Sequence, residues 1–186
     1  MVDLSRKTLL LLLCALLIVI LATFFLYQRY YSPTGWKAKS QSDLTHVELG
    51  DKILYTTLDG GESDMTAYDS DVLIVNVWAS WSPFTKSDGE VLSAIKKAYG
   101  ESITIRAVNR MEQKETAVAY LDTIGRAEGV EYIIDTTDHL YASLGGYAMP
   151  ETLVFDRIGN VLSHIRGTLE YERLDTEIKA ALTHSQ

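Results

Sequence analysis
The hydrophobic pattern changes character along the chain. From residue 8 to 27 the run TLLLLLCALLIVILATFFLY holds no charge, glycine or proline. At about 1.5 Å per helical residue it reaches the roughly 30 Å of a bilayer core, so a transmembrane helix is expected over 8–27. Residues 28–42, QRYYSPTGWKAKSQS, are polar and aromatic with Pro33 and Gly35, and suit a juxtamembrane tether. From Asp43 onward the patterns are those of a packed domain, expected over 43–186. Residues 53–57 predict a strand, and the LDGGES that follows predicts a tight turn. The run 72–78, apolar except for Asn76, predicts a central strand buried on both faces.

A helix is expected from about Pro83, a residue whose missing N–H is not needed in a first turn, with Val91, Ile95 and Ala98 facing inward. A second strand follows over 103–109. An amphipathic helix over 113–124 presents Ala117, Tyr120, Leu121 and Ile124 and is closed by Gly125. Residues 132–134 predict a strand and 138–144 a short helix. Strands over 152–155 and 161–165 flank the turn DRIGN, a hairpin signal. A last helix over 170–182 carries Leu174, Ile178 and Leu182 on one face. Strands alternating with helices, then a hairpin, predict an α/β fold with a mixed central sheet flanked by helices.

The 186 residues, 47% hydrophobic and 23% charged, suit one such domain plus the N-terminal segment. Arg6 and Lys7 also fit the start of a cleaved signal peptide, but the apolar core of such peptides is about 7–15 residues and ends in a small-residue cleavage site. This run is longer and ends in FFLYQRYY, so an uncleaved anchor behind a cytoplasmic 1–7 is the reading taken. Arg29, Lys37 and Lys39 balance Arg6 and Lys7, and the basic-residue rule does not decide orientation. Setting aside Arg6, Lys7 and Asp3 from totals of 17 basic and 25 acidic residues leaves 15 against 24. An acidic domain argues against nucleic acid and against docking on anionic lipid. The single cysteine, Cys14, lies within the apolar run, so the domain has neither an intramolecular disulfide nor a thiolate metal site.

Two motifs carry a resemblance. VNVWASWSPFT matches the pattern V-N-x-W-A-x-W-C-x-x-C through Asn76, Trp78, Ala79 and Trp81, with Lys86 and Asp88 following, but has Ser82 and Thr85 where two cysteines are expected. YAMPETLVFDRIGNVLSHIRG places Pro150, Thr152, Asp156, Gly159 and Gly167 as in a cis-proline segment, and Asp135 precedes the short helix before it. In both respects residues 43–184 resemble the membrane-tethered thioredoxin-like proteins of the TlpA/ResA branch. The resemblance implies a thioredoxin-like fold, an extracytoplasmic domain on a single-pass anchor, and thiol-disulfide chemistry by a thiolate attacker and a resolving cysteine. Hydroxyls at 82 and 85 perform neither step. Where relatives carry a helix-kinking proline this chain has Glu90, next to Gly89.

Catalytic residues are therefore expected to be none, with Ser82 and Thr85 as degenerate positions. Ser82 has no motif-placed base and reads as a helix cap; Thr85 reads as a first-turn residue without chemistry. His46, His139, His164 and His184 are scattered without metal-ligand spacing, so no metal and no cofactor is expected, and they read as surface or boundary residues. Trp78 reads as core and Trp81 as an exposed anchor or a cover for the missing cysteine pair. The resemblance implies a groove of Trp81, Ser82, Pro83, Phe84, Met149 and Pro150, in which the main chain of Met149 pairs with an extended peptide. The expected function is a redox-inactive, membrane-anchored module that binds a partner polypeptide. The alternative is an accessory oxidoreductase of a cytochrome c maturation or envelope redox system, acting with a partner's thiols.

Overall fold
The computed structural model describes residues 7, 15–17, 19–23, 54–143, 145, 146 and 148–184. The chain divides into two compact units, Met1–Lys37 and Ala38–Gln186. In the first, the described residues are helical, and Leu16, Leu17, Val19, Ile20 and Leu21 are each more than half exposed. Thr23 returns its hydroxyl to the carbonyls of Val19 and Ile20. Among the described residues no helix is long and apolar enough to cross a membrane. Much of the run 8–27, all of the tether 28–42, and Ile53 lie outside them.

The second unit is a seven-stranded sheet in the order β2-β1-β5-β4-β3-β6-β7. The strands are β1 (Leu54–Thr57), β2 (Glu62–Asp64), β3 (Val72–Trp78), β4 (Ile103–Arg110), β5 (Glu131–Asp135), β6 (Glu151–Asp156) and β7 (Val161–Arg166). The helices are α1 (Thr85–Tyr99), α2 (Lys114–Ile124), α3 (His139–Ser143) and α4 (Tyr171–His184). β3, β4 and β5 run parallel, joined through α1 and α2, while β6 lies antiparallel to β3 and β7 antiparallel to β6. This is the mixed sheet the pattern predicts. β3 is buried at every position, as its unbroken apolar run requires.

Alternation along the strands sorts the core onto two faces. On one, Val72, Ile74, Ile103, Ile105, Val154 and Ile165 meet Leu92 and Ile95 of α1 and Leu174, Ile178 and Ala181 of α4. Trp78, Ala107 and Ile134 on that face meet Ala117 and Leu121 of α2. On the other, Leu73, Val75, Val108, Ile133, Leu153 and Phe155 meet Leu140 of α3. Gly125 closes α2 as expected: with φ 86° it returns its N–H to Leu121 O at 2.8 Å.

Four details correct the reading from sequence. α1 begins at Thr85, so Pro83 stands in the turn ahead of it. Its buried stripe is Thr85, Asp88, Leu92 and Ile95; Ala98 is exposed, because the inward face is set by the loop that precedes the helix. The stretch 58–63 turns at 58–60 as expected, but its last two residues already belong to β2, whose Glu62, Ser63 and Asp64 pair along β1 through the main chain with no apolar alternation to announce it. Arg106 lies buried within an apolar strand because its guanidinium donates to Met65 O, Ala67 O and Glu131 Oε2 at 3.0, 2.8 and 2.7 Å.

Candidate functional site
The C-terminal ends of the parallel strands meet the start of β6. Val77 is paired with Glu151, so Trp78 and Pro150 occupy the same end of two neighbouring strands. The loop 79–84 and the segment 148–150 therefore share one rim of the sheet, the position at which open α/β sheets present their binding surfaces.

The loop is held by its own polar atoms. Ala79 O accepts the Thr85 hydroxyl at 2.8 Å and the Ser82 N–H at 3.1 Å. Ser82 is buried, and its Oγ takes the Phe84 N–H at a long 3.4 Å. It does not cap α1: Phe84 is the N-cap and has no side-chain capping bond. The hydroxyls of Ser82 and Thr85 are thus both turned toward the main chain of their own loop. The hydrophobic members point outward instead, with Trp81 63% and Phe84 42% exposed. Trp78 is the core residue expected, with its ring against Tyr120 at 6.4 Å and edge-on to Tyr132 at 5.9 Å.

A network that sequence reading missed braces this loop. Glu112 accepts the Ser80 N–H at 2.8 Å, the Ser80 hydroxyl at 2.5 Å and the Asn109 amide at 2.6 Å. Between Asn109 and Glu112, Met111 is 65% exposed at φ 56°, adding a third large apolar side chain to the rim. Polar pairing across 32 residues leaves no local signal, and only the parallel register of β3 and β4 brings it about.

The second segment carries the Met149–Pro150 bond in cis. Pro150 is buried and Met149 half-buried. Pro150 O accepts the Gly167 N–H at 2.9 Å, whereas the N–H and C=O of Met149 have no partner among the described residues. Gly167 leads to Thr168 and Leu169, whose hydroxyl and N–H both donate to Asp88 Oδ1 at 2.9 Å. Asp88 on α1 thereby ties the loop side of the rim to the proline side. Its carboxyl is buried with Oδ2 unpaired, and desolvation pushes its pKa up, against the lowering effect of the Leu169 and Thr168 bonds.

The histidines are not all boundary residues. His164 is buried, with Nε2 at 2.7 Å from Glu151 Oε2, because β7 places it on the α3 face beside that carboxylate. His139 is exposed at the start of α3, and His46 and the His184 side chain lie outside the description. Among the described residues no cluster of three His, Cys, Asp or Glu forms a metal-binding group. Asp135 is structural: it accepts the N–H and hydroxyl of Thr137 and the N–H of Leu140, shaping the entry to α3.

No family model matches the chain. It is 25% identical over 146 residues to the thiol:disulfide interchange protein DsbE of Escherichia coli, covering 74% of this chain and 77% of that protein. A DsbE of Vibrio cholerae is 27% identical over 96 residues, and the match spans only half of that protein. The thiol-disulfide oxidoreductase ResA of Geobacillus thermodenitrificans is 24% identical over 129 residues, covering 69% of this chain and 73% of that protein. Among solved structures, one from Chlorobium tepidum described as a thiol:disulfide interchange protein DsbE has a TM-score of 0.66 at 22% identity, covering 73% of this chain and 95% of that one. The chain thus has the thioredoxin-like α/β fold and is a low-identity homologue of thiol:disulfide interchange proteins of the DsbE and ResA type.

Proposed function
We propose that residues 43–186 form a non-catalytic module that docks a partner polypeptide, held by an anchor at residues 8–27 on the extracytoplasmic side of a membrane. The observation that carries this reading is the chemistry of the degenerate pair. Ser82 and Thr85 stand in the positions of two cysteines, the chain has no sulfur nucleophile after Cys14, and both hydroxyls are engaged with their own loop. Disulfide exchange needs a thiolate attacker and a thiolate leaving group, and neither is available here. What stays accessible is the rim: the side chains of Trp81, Phe84 and Met111 and the main chain of Met149, which is unpaired among the described residues. An extended peptide can add to such an edge as a short strand, with aromatic side chains as its anchors. Pro83 is exposed beside them and Pro150 shapes the opposite wall. The anchor is supported by the uncharged run and by the exposure of its described apolar residues.

The names of the relatives favour a second reading, an accessory oxidoreductase that works with a partner's thiols. One assay addresses both. Dithiol-driven reduction of a protein disulfide should proceed at the uncatalysed rate with the native chain, and should be accelerated by the Ser82→Cys/Thr85→Cys chain if the loop keeps its geometry. Acceleration by the native chain sinks the non-catalytic reading. Acceleration only after addition of a thiol-bearing partner supports the second.

A further inference from the structure
The segment 148–150 is gripped from beneath by buried groups that neither thiol chemistry nor the apolar rim uses. Glu151, the first residue of β6, is fully buried; its Oε1 accepts the Ala148 N–H at 2.7 Å and its Oε2 faces His164 Nε2 at 2.7 Å. The Tyr141 hydroxyl donates to Ala148 O at 2.6 Å, so both main-chain polar groups of Ala148 are taken by side chains. The next residue, Met149, keeps its own N–H and C=O unpaired among the described residues, and Pro150 O is taken by Gly167.

A buried carboxylate needs donors on its oxygens, and an imidazole and the loop itself are among those that Glu151 meets. The other ring nitrogen of His164, Nδ1, has no hydrogen-bond partner among the described residues, so Glu151 is the polar partner the ring shows there. We propose that Glu151, oriented by His164, is a positioning residue whose carboxylate latches Ala148 and so holds the main chain of Met149 outward as the docking edge. This rests on the docking reading for its purpose, but the latch is testable without any ligand.

The test is amide hydrogen exchange, resolved by residue, on the full chain in detergent. In the unsubstituted chain the Ala148 amide, which belongs to no helix or strand, should exchange at least about tenfold more slowly than that of Met149. Glu151→Leu removes both acceptor oxygens at similar volume and should abolish that protection while leaving Ile74 and Ile105 in the central strands unchanged. Glu151→Gln keeps an acceptor for Ala148 and should retain it. His164→Gln, which removes the orienting imidazole, should speed Ala148 exchange even if Glu151→Leu does not fold. Equal exchange at Ala148 and Met149 in the unsubstituted chain overturns the latch, as does loss of protection in Glu151→Gln matching that in Glu151→Leu. A protected Ala148 in a chain that captures no polypeptide keeps the latch and refutes the docking reading.

Discussion
Gly146 provides the sharpest test of how the proline side of the rim is built. A Cβ placed on it would lie 2.3 Å from Cε2 of Tyr141 and 2.6 Å from both Cδ2 and Cζ. Carbon atoms in contact sit at about 3.5–4.0 Å, so the ring would have to retreat by about 1 Å. It has little freedom to do so. The ring is buried, the guanidinium of Arg110 lies 3.8 Å from its centroid, the hydroxyl is bonded to Ala148 O, and Arg110 is itself paired with Asp138. Overpacking of this kind costs about 1–3 kcal/mol, and loss of the hydroxyl bond adds about 1 kcal/mol. Gly146→Ala should therefore destabilise the domain by about 3 kcal/mol, read as a fall in Tm of roughly 6–12 °C. The assay is a double-mutant cycle by thermal and urea unfolding. In a Tyr141→Leu background, where the rigid ring is absent, the same alanine should cost under about 1 kcal/mol. A Gly146→Ala variant as stable as its parent, or an equal loss in both backgrounds, refutes the steric argument.

Two more substitutions probe α1. Gly89 sits inside the helix, and a Cβ there would meet Ala127 Cβ at an ordinary 3.7 Å, so Gly89→Ala should raise unfolding stability by about 0.5–1 kcal/mol; a loss in urea titration would show that the helix needs its glycine. For Asp88, burial raises the folded pKa above the ordinary 3.8, so the folded state holds its proton to higher pH than the unfolded chain. Its contribution to stability therefore falls as pH rises from about 3.8 through the raised value and is flat beyond. Asp88→Asn should remove that slope in urea unfolding followed from pH 3.5 to 7, and an unchanged slope would place its origin elsewhere.

Periodicity made the elements that bury apolar surface readable. The run 72–78 could only be a strand covered on both sides, and Gly125 marked the end of α2 by the left-handed backbone it adopts. The phase of α1 was misjudged because its inward face includes Thr85 and Asp88, polar residues whose burial depends on Ala79, Thr168 and Leu169, which lie elsewhere in the sequence. β2 was missed because a short edge strand is made by main-chain pairing and its side chains carry no alternation. At the site, the cis proline was legible from a local motif. Glu112 and the Glu151–His164 pair were not, since a buried polar group is recognisable only by its partner, and sheet register supplies that partner from a distant strand.

The central claim is that the rim of Trp81 and Phe84 meets a polypeptide without thiol chemistry. A photo-reactive phenylalanine analogue placed at position 84, or at position 158 as a control, tests it in the full chain expressed in cells. Ile158 is 83% exposed but lies in the turn at the far end of β6 from Pro150. The account predicts a discrete polypeptide adduct from position 84, resistant to reducing agent and weakened about thirtyfold or more in yield at limiting partner by Trp81→Ala, on the basis of about 2 kcal/mol or more for an aromatic anchor. It predicts no such adduct from position 158. An adduct formed equally from position 158, or one from position 84 that a folded Trp81→Ala chain forms unchanged, would contradict it.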